Sequence, residues 1–299
     1  MTYYCLFGFF TNIFPEYNIQ FQNLVSIWIV VMASVALMCF VISEITRNYS
    51  QVDKLWSLLP IAYGWITVAT IPSPRLIFMT SLVTIWGLRL SYNFYRKGGY
   101  NIIPWKGKED YRWNVMRNKP FLKGRLRFGL FNLLFVSLYQ NILILLLSTP
   151  MLLAALHPEK QLTVLDFIAG VIMLAFITTE GIADNQLFRF HLEKLKSENE
   201  TSRYKESLKR GFFIEGLWKY SRHPNFTCEQ ACWISFYFFG IAASGQWFNF
   251  TLAGPVLLIL LFLGSSQLTE SISSEKYREY SVYQKEIPKF IPRFFTFKK

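Results

Sequence analysis

The chain has 299 residues, 52% of them hydrophobic and 17% charged, and its mean hydropathy is +0.25. Soluble domains carry roughly 25% charged residues, so this composition belongs to the membrane class. It excludes a soluble nucleic-acid binder despite a formal net charge of +12.

Seven apolar stretches are long enough, or nearly so, to cross a hydrocarbon core that needs roughly 20 residues per helix. They centre on 24–43, 55–71, 76–93, 128–153, 162–183, 226–243 and 246–264. The first reads as a retained span, because no short apolar region with a small-residue cleavage site precedes it. The turn Pro72-Ser73-Pro74-Arg75 joins the second and third, and Ser244-Gly245-Gln246 joins the sixth and seventh, so each pair predicts a tight antiparallel hairpin. The expected fold class is therefore all-α: a polytopic membrane helix bundle of about seven transmembrane helices.

Of the 31 Lys and Arg residues, 28 fall in four segments, 44–54, 94–127, 184–223 and the tail after 264. The opposite segments hold only Arg75 and Lys160, and Arg89 lies within the third span. By the positive-inside rule the C-terminus faces the cytosol and the N-terminus faces away from it. Residues 1–23 then form a non-cytosolic segment and 24–295 a single membrane domain, since no repeat, low-complexity tract or long linker divides it. Cys5, Cys39, Cys228 and Cys232 form neither a disulfide framework nor a zinc spacing, so no metal site is expected. Asn48, Asn199, Asn225 and Asn249 open glycosylation sequons, and their mostly cytosolic or membrane-boundary positions mark them as coincidental.

Ionisable groups inside spans are costly and need a partner or a function. Asp53, Arg89, Glu180, Asp184 and Glu229 stand at similar depth near the cytosolic ends of their spans, which predicts a shared polar cavity. The densest signal runs from Gly216 to Glu229 through Ser221-Arg222-His223-Pro224-Asn225. Pro224 suits the first position of a helix, whose positive dipole end beside Arg222 and His223 would suit phosphate. Asn225 and Glu229 are four apart and share one face, where they can read a ligand amide or hydroxyl, or else hydrogen-bond to each other. Cys228 and Cys232 read as small core residues, and Tyr277, Tyr280 and Tyr283 form a strip in a tail that could act as a lid. No dinucleotide fingerprint or phosphate-binding P-loop is present.

The block Ser221 to Glu229, together with Glu275 to Pro292 and its Tyr-x-x-Tyr-x-x-Tyr and Ile-Pro-x-Phe-Ile-Pro elements, resembles the C-terminal half of the steroid 5α-reductase superfamily. Within it the chain is similar to a branch known only as a domain of unknown function related to that C-terminal domain. The shared elements are Val52-Asp53-x-x-Trp56, Trp86-Gly87-Leu88-Arg89-Leu90, Glu109 to Trp113, and Ala183-Asp184-x-Gln186-Leu187, covering about residues 50 to 295.

The resemblance implies a membrane reductase that binds NADPH from the cytosol in a C-terminal half of about 162–295. It would transfer hydride to an activated carbon–carbon double bond of a lipid or steroid-like substrate. Asp184, Asn225 and Glu229 would contact the nicotinamide-ribose end, with Tyr220 in the same set. Arg210, Arg222 and His223 would face phosphates, and Tyr277, Tyr283 and Arg293 would close over the cofactor. Tyr92, Asp53 and Glu180 are the candidate proton donors. The implied compartment is the endoplasmic reticulum membrane, with membrane lipids as surroundings, no nucleic acid and no obligate protein partner.

Phe226 and Cys228 stand where the family usually has Tyr and Gly, and the substrate-side Gln-Glu pair and Tyr of steroid reductases have no counterpart in the first three spans. Steroid itself is therefore not implied. Isoprenylcysteine carboxyl methyltransferases, which use S-adenosylmethionine, share the Arg-His-Pro block but lack the Asn225 and Glu229 pattern. A non-catalytic lipid-binding protein that kept the fold is the third alternative.

Overall fold

A computed structural model describes residues 18–103, 105–196 and 202–292. Among them every regular element is helical. Helices α1 (Ile19–Thr46), α2 (Gln51–Leu55), α3 (Leu59–Thr70), α4 (Pro74–Arg96) and α5 (Tyr111–Asn118) come first. Helices α6 (Arg125–Phe131) and α7 (Gln140–Ala155) are joined without a break by the wider π-helical turns of Asn132–Tyr139. The chain continues through α8 (Val164–Lys194), α9 (Lys205–Arg210), α10 (Pro224–Ser244), α11 (Ala253–Lys276) and α12 (Tyr280–Glu286), with short 3₁₀ turns at Gly216–Lys219 and Phe250–Leu252.

Four helical stretches are long and apolar enough to cross a membrane: Ile19–Thr46, Arg125–Ala155, Val164–Lys194 and Phe250–Lys276. They match the first, fourth, fifth and seventh predicted stretches. The second is interrupted, with α2 and a turn preceding an apolar α3 of only 12 residues. Helices α4 and α10 are 23 and 21 residues long but carry Arg75, Arg89 and Arg96 in one and Asn225, Glu229 and Gln230 in the other. Several of these polar groups face inward: Arg75, Glu229 and Gln230 are all buried. A helix packed against protein needs no continuous apolar surface.

The structure divides into two compact units. One comprises the residues up to Val171 with Ser235–Leu257, the other Ile172–Ile234 with the residues from Leu258 on.

In the first unit the predicted hairpin is present. Ser73 caps α4 by accepting from Leu76 N at 3.3 Å, Pro74 occupies its first turn, and α4 packs back on α3. Gly87 permits the close approach, since a Cβ there would lie 2.5 Å from the Ser57 carbonyl oxygen. A buried ion pair closes this unit. Arg75 is 1% exposed and Asp166 0%, and they meet through two bonds, Nε to Oδ1 at 2.9 Å and Nη2 to Oδ2 at 3.1 Å. The remaining capacity is used: Arg75 also donates to the Lys160 and Gln161 carbonyls, and Asp166 accepts from the Thr163 amide and hydroxyl. Lys160 donates to the Ala243 carbonyl at 2.8 Å. Both basic residues of the sparsely charged segments are thus bonded to the protein itself, Arg75 inside it and Lys160 from an exposed position.

At the other end of α1 the loop after α4 is folded onto α2. Tyr49 N donates to Glu109, Lys54 Nζ to the Lys106 carbonyl, Gln51 to the Trp105 carbonyl, and Trp113 Nε1 to Asp53 Oδ2 at 3.1 Å. Asp110 takes Arg112 through both carboxylate oxygens. Burial and the neighbouring Asp110 charge push the Asp53 carboxyl up, against the opposing pull of Arg112 and Trp113. Burial also works to raise Asp110, but the Arg112 guanidinium outweighs it and holds that carboxyl low.

The second unit contains the rest of α8, α9, the ends of α10 and α11, and α12. Its core has two aromatic clusters, Phe190, Tyr204, Phe213 and Trp218 in one, Phe212, Tyr280 and Tyr283 in the other. With 31 residues, α8 exceeds the roughly 20 that a bilayer requires, which leaves its last third for polar packing.

Removing one partner of a buried pair strands the other charge, so Arg75→Met should lower unfolding stability by about 3–5 kcal/mol. Arg47→Met, which breaks the exposed pair with Glu44, should cost far less, because water screens an exposed pair. Unfolding of both variants in detergent micelles compares them, and equal losses would refute the clasp.

Candidate functional site

The second unit gathers most of the residues that the sequence singles out. Pro224 starts α10 as expected, and the segment before it is held from outside the helix. The Arg222 and His223 amides donate to the Pro288 and Lys289 carbonyls at 2.9 and 3.1 Å, Ser221 Oγ donates to Lys289 O, and Thr227 Oγ1 donates to Phe290 O. The Ile-Pro-x-Phe-Ile-Pro element is therefore a strap across the Ser-Arg-His-Pro block, which explains why the two elements occur together.

Glu270, on α11 and 5% exposed, is the hub of this arrangement. Its Oε1 accepts from Arg222 Nε at 2.7 Å and contacts His223 Nε2 at 2.9 Å, and its Oε2 accepts from Gln284 Nε2 at 3.1 Å. Arg222 Nη1 also donates to the Gln284 and Ile287 carbonyls. Both side chains expected to face phosphate are thus engaged by a carboxylate. Sequence reasoning missed Glu270 because it ended the seventh span at 264 and read Glu270 as part of the tail. An acidic residue within a helix that is apolar until Leu263 was the available signal.

Beside this hub lies a layer of buried polar groups. Glu180 and Asp184 are one turn apart on α8, and Asn225 and Glu229 one turn apart on α10. Asp184, Glu180 and Glu229 are 2%, 4% and 4% exposed. Asn225 Nδ2 reaches Asp184 Oδ1 at 3.4 Å, and Glu229 Oε1 accepts from Trp233 Nε1 at 3.1 Å. A carboxylate only accepts, so the Asn225 amide must turn its NH₂ toward Asp184. Its Oδ1 is buried without a hydrogen-bond partner among the described residues.

The loop leading to α10 is fitted to this layer. Gly216 has φ +59°, and a Cβ there would lie 2.5 Å from Gln186 Oε1, which accepts from the Leu217 amide at 3.0 Å. Trp218 Nε1 donates to the Ala183 carbonyl. The Ala-Asp-x-Gln element and the Gly-Leu-Trp turn are therefore two sides of one contact. Phe226, standing where the family usually has Tyr, lies between the His223 and Phe262 rings at 5.3 and 4.5 Å.

The tyrosine strip packs as predicted for one face, against Phe212. Tyr283 donates to the Trp218 carbonyl at 2.5 Å, and burial pushes its phenol up. Tyr277 accepts from Lys194 Nζ at 2.9 Å. Burial works to raise the Tyr277 phenol, but the Lys194 ammonium, helped by Lys276, outweighs it and lowers it.

The other candidates are placed elsewhere. Arg210 pairs with Glu206 at 2.9 Å and Glu279 at 3.5 Å. Tyr220 is 38% exposed on the 3₁₀ turn's edge, and Arg293 lies outside the described residues. Tyr92 and Asp53 belong to the first unit, Tyr92 at 63% exposure with the Arg96 guanidinium over its ring, and Asp53 in the loop network with Trp113. Among the described residues no group of three His, Cys, Asp or Glu could hold a metal ion.

Glu270→Gln should strand Arg222 and His223, lower stability by about 3–5 kcal/mol and speed tryptic cleavage at Lys285 and Lys289. Tyr283→Phe, which removes one hydrogen bond, should cost about 1 kcal/mol. Cleavage of Glu270→Gln at the wild-type rate would refute the strap.

Comparison with known proteins places the whole arrangement in a family. The model of a family described as "Protein of unknown function (DUF1295)" matches residues 39–287. An uncharacterized protein of Schizosaccharomyces pombe, C594.04c, is 38% identical over 264 residues, covering 84% of this chain and 75% of its own length. No solved structure matches. The chain therefore belongs to the DUF1295 family of proteins of unknown function.

Proposed function

We propose that this protein is an integral membrane oxidoreductase that uses NADPH to reduce an activated carbon–carbon double bond in a lipid or steroid-like substrate, in the endoplasmic reticulum membrane. The observation that carries the reading is the buried Asp184–Asn225–Glu229 layer with its unsatisfied Asn225 Oδ1. A nicotinamide carboxamide offers the N–H donors that such an oxygen lacks. Bound NADPH supplies the hydride.

The protein's own residues then have distinct tasks. Asp184 fixes the Asn225 amide so that its oxygen accepts, and Trp233 holds the Glu229 carboxylate in place. Arg222 and His223, tied to Glu270, act by fixing the entry to α10. Phosphate charge falls to loop cations such as Arg210, whose partly exposed pairs are worth under about 1 kcal/mol each and can be exchanged. Tyr277 and Tyr283 anchor α12 over Phe212 as the covering element. Seven crossings with a cytosolic C-terminus complete the reading. The charge asymmetry supports it, more so because Arg75 is buried in an ion pair with Asp166 and leaves Lys160 as the exposed cation of the opposite segments among the described residues.

Titration of the detergent-purified protein with NADPH tests this, followed by nicotinamide fluorescence and thermal shift. Binding should weaken about tenfold in Asn225→Ala, the loss of one hydrogen bond of about 1.4 kcal/mol, and stay unchanged in Tyr92→Phe. Stabilisation by S-adenosylmethionine in place of NADPH would establish the methyltransferase instead, and stabilisation by neither would leave a fold without this chemistry. In sealed vesicles a C-terminal tag should be reached by protease only from the cytosolic side.

A further inference from the structure

The end of α8 carries a second cluster of charge, on the side turned away from the polar layer. Arg189, Leu192, Glu193 and Lys196 stand at i, i+3, i+4 and i+7 and so share one side. The amides of Leu195 and Lys196 bond to the Leu192 and Glu193 carbonyls, which carries that spacing just past the helix end. Glu193 is two and a half turns beyond Asp184, at 3.6 residues per turn, so the two side chains leave α8 in opposite directions. With Arg203 and Tyr204 from the stretch before α9, this side of α8 lines a cleft of about 440 Å³. Small-molecule sites run from roughly 300 to 1,000 Å³.

Cations outnumber acids in this cleft. Lys196 pairs with Glu193 at 2.8 Å, whereas Arg189 and Arg203 form no ion pair among the described residues. The Arg203 guanidinium lies 4.8 Å from the centroid of the Tyr204 ring, and that ring is anchored in the buried cluster of Phe190 and Phe213. Leu192 and Leu195 line the same cleft and are exposed. Because α8 runs past the length that a bilayer requires, the cleft stands where lipid headgroups begin. A guanidinium fork matches the oxygens of a phosphate, and a terminal phosphate ester, with close to two negative charges, suits two forks. We infer that the cleft seats the terminal phosphate of an anionic phospholipid, with Arg189 and Arg203 donating to its oxygens and Leu192 and Leu195 against its acyl chains. Phosphatidylcholine is selected against, because its quaternary ammonium would enter a site already rich in cations.

The test uses the full chain in lipid nanodiscs and no nucleotide, so it is independent of the cofactor reading. Three conditions are compared: phosphatidylcholine alone, phosphatidylcholine with phosphatidate, and phosphatidylcholine with inorganic phosphate in solution. Thermal shift should show stabilisation by phosphatidate, and native mass spectrometry should show phosphatidate retained on the protein once the disc is stripped away. Arg189→Gln combined with Arg203→Gln should weaken that retention at least about tenfold through lost charge-assisted hydrogen bonds. Both residues are exposed, so in phosphatidylcholine alone this variant should unfold together with wild type. Replacing three exposed cations of the first unit, by Lys123→Gln, Arg125→Gln and Arg127→Gln, should leave retention unchanged. An equal loss in that control would overturn the inference in favour of diffuse surface attraction, and equal stabilisation by inorganic phosphate would show that no lipid is needed. A wild type indifferent to phosphatidate also refutes it. So does a double variant that unfolds early in every lipid, since the cations would then only complement the end of α8.

Discussion

A charged carboxylate inside an apolar helix is tolerable only if its oxygens are met by cations or donors. Each unit of this protein is organised around one such group. Asp166 gathers Arg75 and the Thr163 turn in the first unit, and Glu270 gathers Arg222, His223 and Gln284 in the second. Around Asp166 the interhelical loop 156–163 is drawn in and its carbonyls satisfied. Around Glu270 the entry to α10 and the strap after α12 are fixed together, and the polar layer beside them inherits that rigidity. A lysine or glutamine in place of either arginine would lose the paired, fork-shaped donation that lets one side chain bind both a carboxylate and backbone carbonyls.

Much of the motif content of the sequence serves this internal bonding. The Val-Asp-x-x-Trp and Glu-Asp-Tyr-Arg-Trp elements meet where Trp113 donates to Asp53. Gly87 in Trp-Gly-Leu-Arg-Leu gives access to the Ser57 carbonyl, and Gly216 makes room for Gln186. Once these structural duties are assigned, what remains in the second unit is the Asp184–Asn225–Glu229 layer. It is the place where buried polar atoms exceed what the fold itself requires, and function is most economically sought there.

The electrostatic pattern separates the loops from these interiors. In the loop network Asp53 and Asp110 diverge although Arg112 pulls both carboxyls down: burial and the neighbouring Asp110 charge raise Asp53, whereas Asp110, bonded to Arg112 through both oxygens, is held low. Tyr277 and Tyr283, six residues apart on one strip, also diverge, because Lys194 stands beside Tyr277 and lowers it whereas burial raises Tyr283. Position on a strip does not set the chemistry of a phenol; its burial and the charges beside it do.

By itself the sequence determined the helical class, the apolar stretches and the Pro74 and Pro224 helix starts. These depend on composition, on proline geometry and on spacing along one helix, all of which are local. It did not determine that the second stretch is broken into α2 and α3, that Arg222 and His223 face Glu270, or that Asp53 is taken up by Trp113. Each of those is a pairing between residues 47 to 60 positions apart or a break set by packing, and local periodicity carries no record of a distant partner. Tertiary structure alone decided which polar groups are spent on the fold, as with Arg75 on Asp166, and which, as with Asn225 Oδ1, are left over. A hydrogen bond has one geometry and two ends, and a sequence shows only one end at a time.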